Sequence, residues 1–126
     1  VSAGWYDGTP FHRLVHGFVA QGGIGPLRNT GADHPADRWV HQLAPEFNAM
    51  RHFRGSVSMA RTDDPNSAST SFFLVLGPAP HLDGNYSQFG KVIEGLEVLD
   101  AFNKEKTSGE TPKRKLELIE AKIDPQ

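Results

Sequence analysis

At 126 residues the chain has room for one hydrophobic core and not for two ordinary domains. With 37% hydrophobic and 22% charged residues, 13 Gly and 9 Pro, it is neither collagen-like, strongly disordered nor a coiled coil. Thirteen basic against fifteen acidic side chains give a net charge of -2, and only Lys113-Arg114-Lys115 form a basic run, so no nucleic-acid partner is expected. The absence of cysteine excludes disulfides, thiolate chemistry and zinc-thiolate sites. No apolar run approaches the roughly 18 residues of a membrane span, and no membrane partner is expected. Val1 stands without an initiator Met or a signal-peptide pattern. The expected compartment is the cytoplasm, or the periplasm or another compartment where a further segment precedes Val1.

Thr9 to Gly23 is rich in β-branched and aromatic residues and reads as two short strands broken at His16-Gly17, after an Asp7-Gly8 turn. Ile24 to Trp39 reads as a surface loop, and Pro45-Glu46 suit one helical turn within Leu43 to Phe47. A third strand is expected over Gly55 to Arg61, followed by a loop of small turn formers from Thr62 to Ser71. Phe72 to Leu76 is a continuous apolar run, too short for a typical helix and read as a core strand. Asp83-Gly84 then turns the chain into a strand at Phe89 to Ile93. Leu96, Leu99 and Phe102, with Val98 beside them, mark the inner face of a helix from Leu96 to Lys104. Thr107 to Pro112 reads as a loop, and Leu116 to Ile123 as a closing strand whose phase changes at a bulge. The sum is a mainly antiparallel sheet or barrel of about six strands with one or two helices.

The six histidines fall in no metal-ligand spacing. His12 and His16 are four apart, but on strands rather than on one helix face, and neither metal nor cofactor is expected. No nucleophile elbow surrounds Ser67, Ser69 or Ser71, and the glycines form no phosphate loop. Arg13 stands in an otherwise apolar strand. It is either an outward charge or satisfied ion pair, the choice periodicity favours, or a guanidinium at the floor of a groove, offering a fork of donors to a carbonyl. Phe11, Phe18, Phe73, Leu82 and Phe89 are core residues by composition, some of which could line a pocket. Residue types alone stop at a small β-rich domain, with peptide binding left open.

The combination of Phe11-His-Arg-Leu-Val-His-Gly-Phe-Val-Ala-Gln-Gly-Gly23, Ser58-Met-Ala-Arg61, Asp64-Pro-Asn-Ser67, Ser71-Phe-Phe73, Leu82-Asp-Gly84 and Phe89-Gly-Lys-Val92 resembles the cyclophilin-type peptidyl-prolyl cis-trans isomerases, most closely the compact bacterial kind. The resemblance runs from about Trp5 to Ile123. It implies a single cyclophilin-like domain over residues 1–126: a closed antiparallel β-barrel with capping helices and a peptide groove on its outer surface. It also implies that the N-terminal portion, ordinarily two strands and a helix ahead of Tyr6 to Pro10, is missing from this chain. On that reading a complementary N-terminal segment or chain is an expected partner.

Carried over residue by residue, Arg13 matches the family's catalytic arginine, and Phe18, Val19 and Gln21 match three groove positions. Phe73 resembles the aromatic at the bottom of the proline pocket, Leu82 its apolar wall, and Ala60, Arg61 and Thr62 the edge that presents backbone to an extended peptide. Arg13, Phe18, Gln21 and Phe73 are the implied catalytic set; the others, with Ser71, His81 and Tyr86, are the implied substrate contacts. Ser71 stands where glutamine is usual, His81 where the large animal members have tryptophan, and Tyr86 where they have histidine. The loss of the indole implies weak cyclosporin binding at most. The implied activity is isomerisation of Xaa-Pro bonds in peptides and unfolded segments, assisting folding. The alternative is a catalytically weak module that binds proline-containing segments.

Overall fold

The computed structural model describes residues 1–124. Strands β1 (Thr9–Val15), β2 (Val19–Gly22), β3 (Ser56–Met59), β4 (Phe72–Val75) and β5 (Gln88–Lys91) are followed by the helix α1 (Leu96–Lys104). A ribbon of β6 (Thr107–Ser108) and β7 (Thr111–Pro112) comes next, then β8 (Glu117–Leu118). The main sheet has six strands in the order β5-β3-β4-β2-β1-β8, and every described pairing is antiparallel.

The expected closed barrel with capping helices is therefore corrected to an open sheet carrying one α-helix on one face. Among the described residues β5 and β8 have no ladder to each other, so the sheet keeps two edges. The physical reason lies in the edge strands. β8 is only two residues long, pairing with Thr9 and Pro10. The residues beyond it turn outward, Ile119 and Ile123 being largely exposed. The expected strand from Leu116 to Ile123 shrinks accordingly.

The reading of the N-terminal portion is corrected as well: the segment Trp5 to Gly8, just ahead of β1, is packed into the body. Trp5 is buried, and its indole Nε1 donates to Asp37 Oδ1 at 2.8 Å. The Trp5 carbonyl accepts from Arg28 Nε and Nη2 at 3.2 and 2.9 Å, while that guanidinium lies 4.9 Å from the indole ring centre. Tyr6 donates its hydroxyl to the Thr70 carbonyl at 2.9 Å. Edge-to-face ring contacts then run from Trp5 to Tyr6, Phe72, Phe11 and finally Phe102 on α1.

Two apolar clusters lie on opposite faces of the sheet. Leu14, Ala20, Leu76, Leu99 and Phe102 form the one beneath α1, with Phe11, Leu74 and Leu116 packed against it. Val19, Ala60, Phe73, Val75, Ala79 and Leu82 form the other, with Val15, Phe18 and Tyr86. Strict alternation would put Phe11, Arg13 and Val15 on one face. A bulge at His12 prevents this: Phe11 pairs with Gly22 and Arg13 with Gln21, leaving His12 as the extra residue. Phe11 thereby joins Leu14 under the helix, and Arg13 is released to the other face. Gly22 makes the arrangement possible, since a Cβ there would lie 3.2 Å from the Phe11 ring. Gly17, at φ +73°, supplies the left-handed turn between β1 and β2.

Smaller expectations change too. Leu43 to Phe47 forms no helical turn; Leu43 instead bridges to Ala68. The loop from Ile24 to Trp39 contains 3-10 turns at Gly25–Leu27 and Pro35–Trp39. Thr107 to Pro112 is the β6-β7 ribbon rather than a loop. Phe89 is 61% exposed rather than core, because a second bulge makes it the extra residue between the Val57–Gly90 and Ser58–Gln88 pairs. On α1 only Leu99 and Phe102 are buried, while Leu96 and Val98 stay exposed. Among the described residues no helix is long and apolar enough to cross a membrane.

Two predictions follow from this packing. Arg28 is 6% exposed and bonded to main-chain carbonyls, so Arg28→Ala strands the buried Trp5 carbonyl. We expect a loss of about 1–3 kcal/mol in urea unfolding. The His12 Nδ1 is buried without a partner among the described residues, and burial, aided by Arg13, lowers the imidazole pKa from its ordinary 6.5. The folded state thus prefers neutral His12 while the unfolded state protonates normally. Its stabilising contribution is complete above about pH 6.5 and is lost as pH falls toward the lowered folded value. Unfolding curves between pH 7 and 5 should show a shallower decline for His12→Gln than for the parent chain.

Candidate active site

On the face opposite α1, a hollow of about 140 Å³ is lined by Arg13, Phe18, Val19, Gln21, Ala60, Arg61, Phe73, Leu82 and Tyr86. Each neighbouring strand supplies alternate residues. Arg13 comes from β1, Val19 and Gln21 from β2 and Phe73 from β4, and Gln21 is register partner of both Arg13 and Phe73. The β1-β2 turn brings Phe18, and the loop before β5 brings Leu82 and Tyr86. The hollow is well below the roughly 300 Å³ at which drug-sized ligand pockets begin, and suits one ring-sized side chain of a longer ligand. A larger hollow, about 580 Å³, lies beside α1 among Val98, Phe102, Leu116 and Ile119, where its charged side chains are glutamates and no cationic donor is present.

The walls are aromatic and rigidly backed. Phe73 is 5% exposed and meets Tyr86 edge-on, with ring centres 5.7 Å apart. Behind it the buried His52 stacks at 6.2 Å, its Nε2 3.1 Å from Ser58 Oγ and its Nδ1 3.1 Å from Asp83 Oδ1. The His52 main-chain N–H also donates to Asp83 at 2.7 Å, and this bond first, then the imidazole, holds the Asp83 carboxyl below its usual pKa. This serine, histidine and aspartate constellation is not a hydrolytic site, since Ser58 is fully buried. Its geometry anchors the start of the loop that carries Tyr86 and braces Phe73.

Arg61 is committed to that loop. Its Nε and Nη2 donate to the Asn85 carbonyl at 3.1 and 2.7 Å, and its guanidinium lies 4.7 Å from the Tyr86 ring centre. Arg13 is differently placed: Nε donates to Glu110 Oε2 at 2.8 Å and Nη1 to Gln21 Oε1 at 3.4 Å. Its Nη2 has no hydrogen-bond partner among the described residues. Arg13 is thus the cation in the hollow with a donor to spare.

Three sequence-read residues fall outside the lining. His81 reaches it only through Phe18, on which it lies tilted at 5.2 Å. Ser71 uses its carbonyl to accept from Ala60 N at 2.9 Å. Thr62 turns its N–H to Ser67 Oγ at 2.9 Å. The Ala60 and Thr62 N–H groups are therefore both engaged within the protein. Conversely, Glu110 and His52 adjoin the lining residues and were not read from sequence. His52 was weighed only as a metal ligand, and Glu110 stands 97 positions from Arg13, beyond any local pattern.

Comparison with known proteins places this chain in a family. Residues 1–123 match the family described as cyclophilin type peptidyl-prolyl cis-trans isomerase/CLD. The chain is similar to Arabidopsis thaliana peptidyl-prolyl cis-trans isomerase CYP18-1, at 39% identity over 93% of this chain and 72% of the relative. It is also similar to CYP23 of the same plant, at 43% identity over 79% of this chain and 45% of the relative. A third similar protein is the Helicobacter pylori peptidyl-prolyl cis-trans isomerase, at 46% identity over 77% of this chain and 58% of the relative. The chain thus spans between about half and three quarters of the length of these relatives.

Among solved structures, a Cryptosporidium parvum cyclophilin type peptidyl-prolyl cis-trans isomerase, crystallised in the presence of the dipeptide Ala-Pro, matches with a TM-score of 0.81 and 27% identity. That likeness covers 97% of this chain and 78% of the other. A Hirschia baltica cyclophilin matches at 0.72 and 27% identity, over 92% and 60%. The family match takes in residues 1–123 and the structural likeness 97% of this chain, so the reading is corrected to a cyclophilin-type fold over nearly the whole of this chain. Extent of match, shared fold and an arginine beside an aromatic hollow agree, and the chain belongs to the cyclophilin-type peptidyl-prolyl cis-trans isomerase family.

Proposed function

We propose that this chain isomerises Xaa-Pro bonds in peptides and unfolded protein segments, in the hollow bordered by Arg13. The observation that carries the reading is one arginine whose Nη2 is unengaged among the described residues, beside a ring-sized hollow walled by Phe18, Phe73 and Leu82. Rotation about an amide is slow because nitrogen is conjugated with the carbonyl, a barrier of about 20 kcal/mol. Proline brings the two isomers close in energy and leaves the barrier high. No nucleophile is required; the site must bind the twisted amide better than either planar form.

In the twisted state the prolyl nitrogen regains its lone pair and accepts a hydrogen bond it cannot accept when planar. The Arg13 guanidinium is the donor for it, with the fork geometry that a lysine lacks. Phe18, Phe73 and Leu82 grip the pyrrolidine ring, and Val19 and Gln21 complete the floor. Arg61 frames the hollow through its bonds to Asn85, and Ala60 and Tyr86 wall it. Ser71, Thr62 and His81 act around this centre on the chain that flanks the proline. His81 covers Phe18 with less apolar area than an indole, which supports weak cyclosporin binding at most.

The test is direct exchange of an Xaa-Pro peptide by NMR. Arg13→Ala should fold normally and lose about 100-fold or more in kcat/KM, with Arg13→Lys recovering little of it. Binding without exchange in the parent chain, or near-full exchange in folded Arg13→Ala, contradicts the reading. Phe73→Ala should weaken peptide binding and also cost about 3–5 kcal/mol of stability, because the ring is buried. Calorimetric affinity and urea unfolding measured on the same sample separate the two effects.

A further inference from the structure

The Arg13 head group is held from two sides by residues of different elements. Gln21 reaches Nη1 from the neighbouring strand at 3.4 Å, a long contact. Glu110 takes Nε at 2.8 Å from the turn of the β6-β7 ribbon, and this is the stronger, charge-assisted bond. The turn is itself fixed to β1, since the Glu110 carbonyl accepts from Leu14 N at 2.7 Å. One residue of the ribbon thus binds the main chain next to Arg13 and the side chain of Arg13 together. At the end of the β1-β2 hairpin, Asn103 Oδ1 on α1 accepts from Gly17 N at 2.7 Å.

We propose that Glu110 is a positioning residue for the reaction: its carboxylate fixes the Arg13 guanidinium plane through Nε, leaving Nη2 as the donor for the twisted prolyl amide. The inference rests on the reading of Arg13 as that donor. An arginine side chain is 39% exposed here, its partner 55%, and an unrestrained head group of this kind samples many rotamers in water. An ion pair this exposed adds little to folding stability. What it supplies is a guanidinium already oriented when the peptide arrives, so that orientation is not lost from the binding energy of the twisted state. Glu110 reaches the hollow only through Arg13 and is not itself part of its lining, so its effect falls on turnover more than on binding.

The experiment uses the full chain and an Xaa-Pro tetrapeptide, with kcat and KM from exchange NMR and the Arg13 Nε–H resonance as a direct reporter. Glu110→Ala should lower kcat about 5- to 20-fold, within the roughly 100-fold that misplacement of a catalytic group can cost. KM should stay within about twofold, and the melting temperature within about 2 °C, as for other exposed pairs. The Nε–H resonance should shift, and Glu110→Gln, which keeps an acceptor, should recover part of the rate. In an Arg13→Ala background, Glu110→Ala should have no further effect. An unchanged or raised kcat in folded Glu110→Ala, or an equal loss in the Arg13→Ala background, overturns the inference while leaving the role of Arg13 intact. Full activity of Arg13→Ala alone overturns the parent reading, and this one with it.

Discussion

The single extra residue at His12 sets the relation between the core and the candidate site. Without it Phe11 and Arg13 would share a face, and either the ring would leave the cluster under α1 or the guanidinium would be driven into it. With it, Phe11 meets Phe102 at 5.0 Å on one side while Arg13 borders the hollow on the other. The bulge is held in place by its surroundings. Gly22 yields to the Phe11 ring, Gln21 opposes Arg13, and Leu14 is fixed from the ribbon. Among the described residues the His12 imidazole at the bulge is left with a buried, unpartnered nitrogen, a cost carried by the residue that changes the phase of the strand.

From that constraint the rest of the site follows as sheet geometry. Once Arg13 is on the outer face, the register places Gln21 and then Phe73 in a row across β1, β2 and β4. Beyond the sheet the floor is closed by loops, and loops need their own supports. Asp83, His52 and Ser58 form one, a hydrogen-bonded chain whose histidine and serine are buried behind Phe73. Arg61 forms the other, through the Asn85 carbonyl and the Tyr86 face. The site is thus a row of strand residues of fixed direction, edged by loop residues tied to it by polar bonds.

What was legible in the sequence was whatever local pattern encodes. The break at His16-Gly17, the apolar run from Phe72 and the 3-residue spacing of Leu99 and Phe102 all gave elements close to those observed. The lining residues were legible as a site only through a family resemblance, because periodicity alone favoured reading Arg13 as an outward charge or a satisfied ion pair. Bulges were not legible. The one expected near the C-terminus is replaced by those at His12 and Phe89, and Phe89 moved from core to surface because one extra residue reverses the alternation of a strand. The barrel was overestimated for a related reason: apolar alternation in Leu116 to Ile123 says nothing about whether a partner strand lies alongside. Glu110 was invisible because its partner is distant in sequence and its own neighbourhood, Ser108-Gly109-Glu110, reads as an ordinary turn.

The most direct test of the account is a crystal structure of this chain with an Xaa-Pro peptide bound. The account predicts the pyrrolidine ring among Phe18, Phe73 and Leu82, with Arg13 Nη2 within about 3.2 Å of the prolyl amide and Nε still held by Glu110. A proline ring seated in the apolar hollow beside α1, or one in the Phe73 hollow with Arg13 turned to solvent, would contradict it.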